Sequence, residues 1–243
     1  MPLPFAAVLL YLRAVNIFSD GQVLLIDKPY DWTSFDVVKR IRRLVKIKKI
    51  GHAGTLDPLA TGLLILCTGK FTKRINEYMA REKEYTGTII LGATTPTYDL
   101  ESIPENLIDG SSLNAADVQT AAEKFVGEIM QVPPIYSAIK KDGKRAYELA
   151  RKGEDIKLAA RKVTISVFET TLNYPEVKFR IVCSTGTYIR SIAHDIGQQL
   201  GCGGYLSSLR RTRIGEFRVD DAWTLEEAEL QIARLLENQD KEI

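Results

Sequence analysis

Apolar residues fill Val23 to Ile26, and after a Lys28-Pro29 turn Val37, Val38, Ile41, Leu44 and Val45 recur at helical spacing. The first pattern predicts a strand at about 22–27 and the second an amphipathic helix with Ser34 as its N-cap. Gly62 and the unbroken run Leu63-Leu64-Ile65-Leu66-Cys67 read as a buried strand at 63–67. A helix at about 70–80 and a strand at about 84–92 follow. The polar stretch 97–113, with Pro104 and Gly110, reads as loop, and Asn114 caps a helix at about 115–127 that shows Glu123 and Lys124 outward. At 161–173 and 177–184 β-branched and aromatic residues alternate with polar ones, predicting two strands joined around Asn173-Tyr174-Pro175. Thr187 to Leu200 is a helix stopped by Gly201, and a strand pair near 205–219 precedes a helix at about 224–237 capped by Thr224. Strands and helices mix without strict alternation, so the fold class expected is α+β.

A chain of 243 residues can bury a sizeable core, as one domain or one domain with an insertion. No internal repeat or low-complexity linker is visible. The three cysteines, Cys67, Cys183 and Cys202, have no ligand spacing and only His52 and His194 could join them, so no metal site is expected. Unpaired cysteines suit a reducing cytoplasm. The apolar start, Met1 to Leu12, lacks a basic leader, meets Arg13 early and is too short to span a bilayer. Residues 1–20 are read as an N-terminal extension of unknown role, with no membrane partner.

The net charge of +2 conceals segregation. Residues 39–49 carry Lys39, Arg40, Arg42, Arg43, Lys46, Lys48 and Lys49 with no acid. Lys140, Lys141, Lys144, Arg145, Arg151 and Lys152 form a second basic stretch, and Arg210, Arg211 and Arg213 a third. Acids collect near the C-terminus, at Glu226, Glu227, Glu229, Glu237, Asp240 and Glu242. One basic run alone is commonly a solvated helix face. Three of them favour a surface that meets a polyanion such as RNA.

The segment Gly51-His52-Ala53-Gly54-Thr55-Leu56-Asp57-Pro58-Leu59-Ala60-Thr61-Gly62-Leu63-Leu64 carries the most distinctive chemistry. It sets one carboxylate on a glycine-rich loop beside a histidine, and Pro58 steers Asp57 away from helical geometry. The ordinary reading of Asp-Pro is a helix cap or turn. Here a buried strand follows closely, leaving little helix to cap.

This segment resembles the signature of the TruB family of tRNA pseudouridine synthases. So do Val23-Leu24-Leu25-Ile26-Asp27-Lys28-Pro29 with Trp32-Thr33-Ser34, and Lys83-Glu84-Tyr85 with Leu91-Gly92 and Thr95-Pro96-Thr97-Tyr98-Asp99. Pro133-Pro134-Ile135-Tyr136-Ser137-Ala138-Ile139-Lys140 with Gly143 to Tyr147, Cys183 to Ser191, and Leu209-Arg210-Arg211 follow in family order. The resemblance implies the pseudouridine synthase fold: a mostly antiparallel central sheet, a catalytic cleft, and an RNA-gripping insertion at about 97–160 within a catalytic domain at 21–243. It implies that Asp57 is catalytic, that Arg190 pairs with it, and that Tyr85 stacks on the target base. His52 would contact the T-loop, Tyr188 and Leu209 would wall the uracil pocket, and Asp99 occupies a family motif position. Lys28, Lys140 and the 39–49 run are candidates for phosphate contacts. About 25 residues follow Phe217, so the chain resembles the short form without a C-terminal PUA-type domain. Leu100-Glu101-Ser102 stand where the family has a glycine soon after Asp99.

The implied reaction turns the T-loop uridine at tRNA position 55 into pseudouridine, breaking the C1′–N1 bond and forming C1′–C5. Nothing is gained, lost or oxidised, so no cofactor is expected. Attack on C1′, abstraction of a ribose proton and addition to the uracil ring all remain open for Asp57. The uridine must leave its stack to reach the carboxylate. The expected partner is the T-arm of tRNA, bound by a cytoplasmic monomer. A tRNA-binding module with secondary catalysis, and a sister synthase acting on other RNA, are the alternatives.

Overall fold

The computed structural model describes residues 16–137, 139–141, 143–151 and 156–241. In chain order its helices are α1 (Ile17–Asp20), α2 (Ser34–Val45), α3 (Ile75–Met79), α4 (Ala115–Glu123), α5 (Ala146–Ala150), α6 (Ile189–Gln199) and α7 (Leu225–Lys241). The strands are β1 (Val23–Lys28), β2 (Ile50–His52), β3 (Thr61–Thr68), β4 (Lys83–Leu91), β5 (Gly127–Gln131), β6 (Lys140–Lys141), β7 (Lys144–Arg145), β8 (Arg161–Asn173), β9 (Glu176–Cys183), β10 (Gly204–Ile214) and β11 (Phe217–Arg218). The mixture is α+β. Two compact units divide the chain: one holds the residues up to Ala80 and those from Glu216 onward, the other Arg81–Gly215.

In the first unit β3 pairs antiparallel with both β1 and β2. Every residue of β3 from Gly62 to Thr68 is buried, as the unbroken apolar run requires. The apolar stripe of α2 (Val37, Val38, Ile41 and Val45) meets Leu24, Ile26, Leu64 and Leu66 of the strands and Leu225, Ala228 and Ile232 of α7. Helix α2 is capped by Thr33 in a reciprocal capping box with Asp36. The N-cap is therefore one residue earlier than the sequence suggested, and the buried Ser34 hydroxyl reaches Leu56 instead.

Two further departures belong to this unit. The helix expected at 70–80 is a 3-10 turn over Gly69–Arg74 followed by the short α3. Gly69 has φ 50°, and a Cβ there would lie 2.1 Å from the Ser19 carbonyl oxygen, so the chain bends tightly before it can wind. Residues 1–15 of the expected N-terminal extension lie outside the described residues, but its last part is core. Phe18 is fully buried in the cluster above, and the Asn16 side chain donates to Val45 O (2.8 Å).

The second unit is built on five antiparallel strands in the order β10-β4-β9-β8-β5. Helix α4 packs on β8 and α6 on β10. The stretch 115–127 is not helical throughout: α4 ends at Glu123, and Gly127 (φ 101°) opens β5. In β5 the polar Gln131 is buried and the apolar Met130 is 66% exposed. This inverts the usual code and hides the strand from pattern reading. Within the expected 97–160 insertion, α4 packs on β8 and β5 pairs with it.

Phe18→Ala should cost about 3–5 kcal/mol of unfolding free energy, the usual penalty for emptying a buried aromatic site. Urea denaturation checks this. A loss near zero would mean that Phe18 contributes nothing to the core.

Candidate active site

Asp57 lies in the loop between β2 and β3, half-exposed, with its carbonyl accepting from Ala60 N (3.1 Å). Two glycines shape the approach. Gly54 adopts φ 99°, and a Cβ on Gly51 would come within 2.8 Å of Ile75. Both neighbours of Asp57 are pinned from beneath. Leu56 donates its N–H to Ser34 Oγ (2.9 Å), and the same hydroxyl donates to Leu56 O (3.1 Å). On the other flank Lys28 Nζ donates to Pro58 O (3.0 Å), Pro29 O (2.9 Å) and Trp32 O (2.5 Å).

Lys28 is fully buried, and three carbonyls match its three N–H donors. A phosphate contact needs an exposed ammonium. The structure gives Lys28 a different task, holding the Asp57 loop to the end of β1. His52, the last residue of β2, lies opposite Leu66 and is half-exposed.

The second unit carries Tyr85, Asp99, Tyr188, Arg190 and Leu209. Arg190 sits in the first turn of α6 and is 4% exposed. Its Nη1 donates to Thr97 O (3.1 Å), its Nη2 to Tyr136 O (3.0 Å), and its Nε lies 3.5 Å from Asp99 Oδ2. Asp99 is itself aimed: its Oδ1 accepts from Thr97 Oγ1 (2.6 Å) and from Glu101 N (3.0 Å). Tyr98, between them, has φ 65°, an uncommon angle for a residue with a side chain. Its ring stacks on His194 at 3.9 Å, and its carbonyl accepts from Leu206 N (2.9 Å). This loop therefore turns at Tyr98, with Leu100-Glu101-Ser102 following Asp99.

Tyr85 on β4 stands opposite Arg211 on β10, and Leu209 stands opposite Gly87. Two residues apart on each strand, Tyr85 and Leu209 share one face of the sheet as diagonal neighbours. Tyr85 is buried and Leu209 half-buried. Lys83 and Arg211 are also buried, and Lys83 Nζ donates to Arg81 O (2.6 Å). Burial first, then the positive charge of Arg211, pushes the Lys83 ammonium down to about 8.

Among the basic residues, Lys39, Arg43, Lys46, Lys48 and Lys49 are exposed, whereas Arg40 forms an ion pair with Glu229 of α7 (2.5 Å). The side chain of Lys140, and all of Lys152, lie outside the described residues. Sequence reasoning read Ser34 only as a cap and passed over Gln131, because their partners, Leu56 and Tyr188, are remote in the chain. Among the described residues no group of three or more His, Cys, Asp or Glu could hold a metal ion. No helix of the described residues is long and apolar enough to cross a membrane.

A sheet-borne tyrosine, a buried arginine–aspartate pair and a clamped Asp57 loop accord with the relationships of the chain as a whole. Residues 42–189 match the TruB family pseudouridylate synthase N-terminal domain, and residues 190–242 match the tRNA pseudouridylate synthase B C-terminal domain. The chain belongs to the TruB family of pseudouridine synthases, which makes it an isomerase. The tRNA pseudouridine synthase B of Flavobacterium johnsoniae is 53% identical over 213 residues, covering 84% of this chain and 93% of that protein. Its counterpart in Phocaeicola vulgatus is 51% identical over 216 residues, covering 86% and 92%. A chain of a Cbf5-Nop10-Gar1 complex has the same fold, with TM-score 0.67 and 31% identity over 86% of this chain and 53% of that one. A chain of an H/ACA RNP bound to a substrate RNA containing 2′-deoxyuridine gives TM-score 0.68 and 27% identity, covering 93% and 58%. This chain thus spans little more than half the length of those structural relatives.

Two outcomes test the charged groups. Lys28→Met leaves buried carbonyls without their donor and should cost about 2–4 kcal/mol in a urea melt, together with catalytic rate. A variant as stable and active as the wild type would remove the clamp. For Lys83, the folded chain holds fewer protons than the unfolded chain between about pH 8 and the ordinary lysine value of 10.5. Wild-type stability relative to Lys83→Met should therefore rise as pH increases through that window. A pH-independent difference would contradict the depressed value.

Proposed function

We propose that this chain converts uridine to pseudouridine in tRNA, at the T-loop uridine of position 55, with Asp57 as the catalytic carboxylate. One observation carries the assignment: Asp57 is half-exposed, while the residues before and after it are tied down through Ser34 and Lys28. A carboxylate so held keeps its aim while open to a ligand, as nucleophilic or base catalysis requires.

The reaction breaks the C1′–N1 bond, turns the freed uracil, and joins C5 to C1′. The C5 proton is then lost and N1 gains one, so atoms and electrons balance. The carboxylate begins the sequence by attacking C1′, by removing a ribose proton, or by adding to the uracil ring. In this reading Arg190 stabilises the charge of the catalytic carboxylate, and Asp99 orients that guanidinium. The target base leaves the T-loop stack, with His52 contacting the loop it vacates. Tyr85 stacks on the base and relays the C5 proton, while Tyr188 and Leu209 wall the pocket that retains the free uracil. The exposed lysines and arginines of 39–49 contact phosphates, and the enzyme works as a cytoplasmic monomer. The chemistry needs no cofactor.

The decisive comparison is wild type against Asp57→Asn on unmodified tRNA. The variant should bind tRNA within about threefold of wild type yet lose roughly a thousandfold or more in single-turnover rate. Binding by both should weaken steeply with added salt if phosphate contacts carry it. Pseudouridine formed by Asp57→Asn at the normal rate would sink the assignment. Mapping of carbodiimide-labelled pseudouridine in RNA from a deletion strain fixes the site, since loss of pseudouridine elsewhere than the T-loop would redirect the substrate.

A further inference from the structure

Gln131 closes the edge strand β5 and is 2% exposed. Its Nε2 donates to Tyr188 O (3.0 Å), and its Oε1 accepts from Tyr188 N–H (2.8 Å). One side chain thus meets both backbone groups of a residue 57 positions away, as a neighbouring strand would. Tyr188 needs this help. It is the N-cap of α6, and its own side chain makes no capping hydrogen bond.

The contacts around this bond converge on the same segment. Arg161 stands directly opposite Gln131 on β8. Its guanidinium lies 4.6 Å over the Tyr188 ring and donates to Gly186 O. Immediately after Gln131, Val132 O accepts from Ser191 Oγ (2.9 Å), and Tyr136 O accepts from Arg190 Nη2 (3.0 Å). Residues 131–136 and Arg161 therefore grip 186–191 at the backbone of Tyr188, its ring, the Arg190 guanidinium and the Ser191 hydroxyl.

We infer that Gln131, with its cross-strand partner Arg161, is a positioning residue for pseudouridine formation. It fixes the backbone of Tyr188 and thereby the direction from which Tyr188 and Arg190 are presented to the flipped uridine. This rests on the roles given to those two residues under the proposed function. A buried amide on a sheet edge is costly unless both its ends are bonded. Here both are bonded to one residue of the site.

Gln131→Met keeps the shape of the side chain and removes both hydrogen bonds. The expected result is a fall of about tenfold or more in kcat of the folded protein, with KM for tRNA within about twofold. Hydrogen exchange at the Tyr188 amide should accelerate about tenfold, because its acceptor is gone. Gln131→Glu retains an acceptor for that amide but loses the donor to Tyr188 O, so it should keep the amide protected while still lowering kcat. A merely structural role would lower the melting temperature and leave kcat of the folded protein intact.

Wild-type kcat in folded Gln131→Met, or unchanged exchange at Tyr188, overturns the inference. Should Gln131→Met fail to fold, Gln131→Glu and Arg161→Met decide it, and wild-type kcat in both is the overturning result. The exchange measurement needs no turnover. An active Asp57→Asn enzyme would remove the proposed chemistry and leave the Tyr188 measurement standing, so the two failures are distinguishable.

Discussion

A cation withdrawn from water has to be met by oxygen inside the protein, and two of the buried cations here organise the loops around them. In the first unit Lys28 ends β1 opposite Gly62, which has no side chain to displace it, and its ammonium collects carbonyls from Pro29, Trp32 and Pro58. In the second, Arg190 gathers the carbonyls of Thr97 and Tyr136 and the carboxylate of Asp99. In each case the acceptors belong to loops that regular secondary structure would leave free. The buried charge turns those loops into rigid parts.

The loop bearing Asp99 shows what such an arrangement can sustain. Tyr98 occupies a left-handed angle, and conformations of this kind persist only where the surroundings over-determine them. The stack on His194, the bond from Leu206 N, and the bonds from Thr97 and Glu101 to Asp99 supply that constraint. The carboxylate then meets the guanidinium in a place reached by almost no water, where their attraction is stronger than at the surface. By contrast the Arg40–Glu229 pair joins two exposed side chains, and pairs of that kind contribute about 0–1 kcal/mol.

Position rather than composition gives the charges their meaning. A net +2 is ordinary, and some of the 33 cations are not available to a polyanion at all: Lys28, Lys83, Arg190 and Arg211 are buried. The exposed part of the 39–49 run lies in the same unit as Asp57, and the proposed function makes it the part a phosphate backbone would meet.

Local information in the sequence determined a good deal. The β3 run, the α2 stripe, the caps at Asn114 and Thr224 and the stop at Gly201 all depend on neighbours within a few positions, and they are read from spacing alone. The Asp57 loop was recognisable for the same reason, its glycines, acid and proline lying close together between Gly51 and Pro58. What the sequence could not show are bonds whose partners lie far apart along the chain: Ser34 with Leu56, Lys28 with Pro58, Asp99 with Arg190, and Gln131 with Tyr188. Strand β5 escaped because its buried residue is polar and its exposed one apolar. Lys28 was misread because a lysine is ordinarily exposed, and only the packed carbonyls around it decide otherwise. Periodicity reports which face of an element is buried. It takes the tertiary fold to say which polar groups that burial forces together.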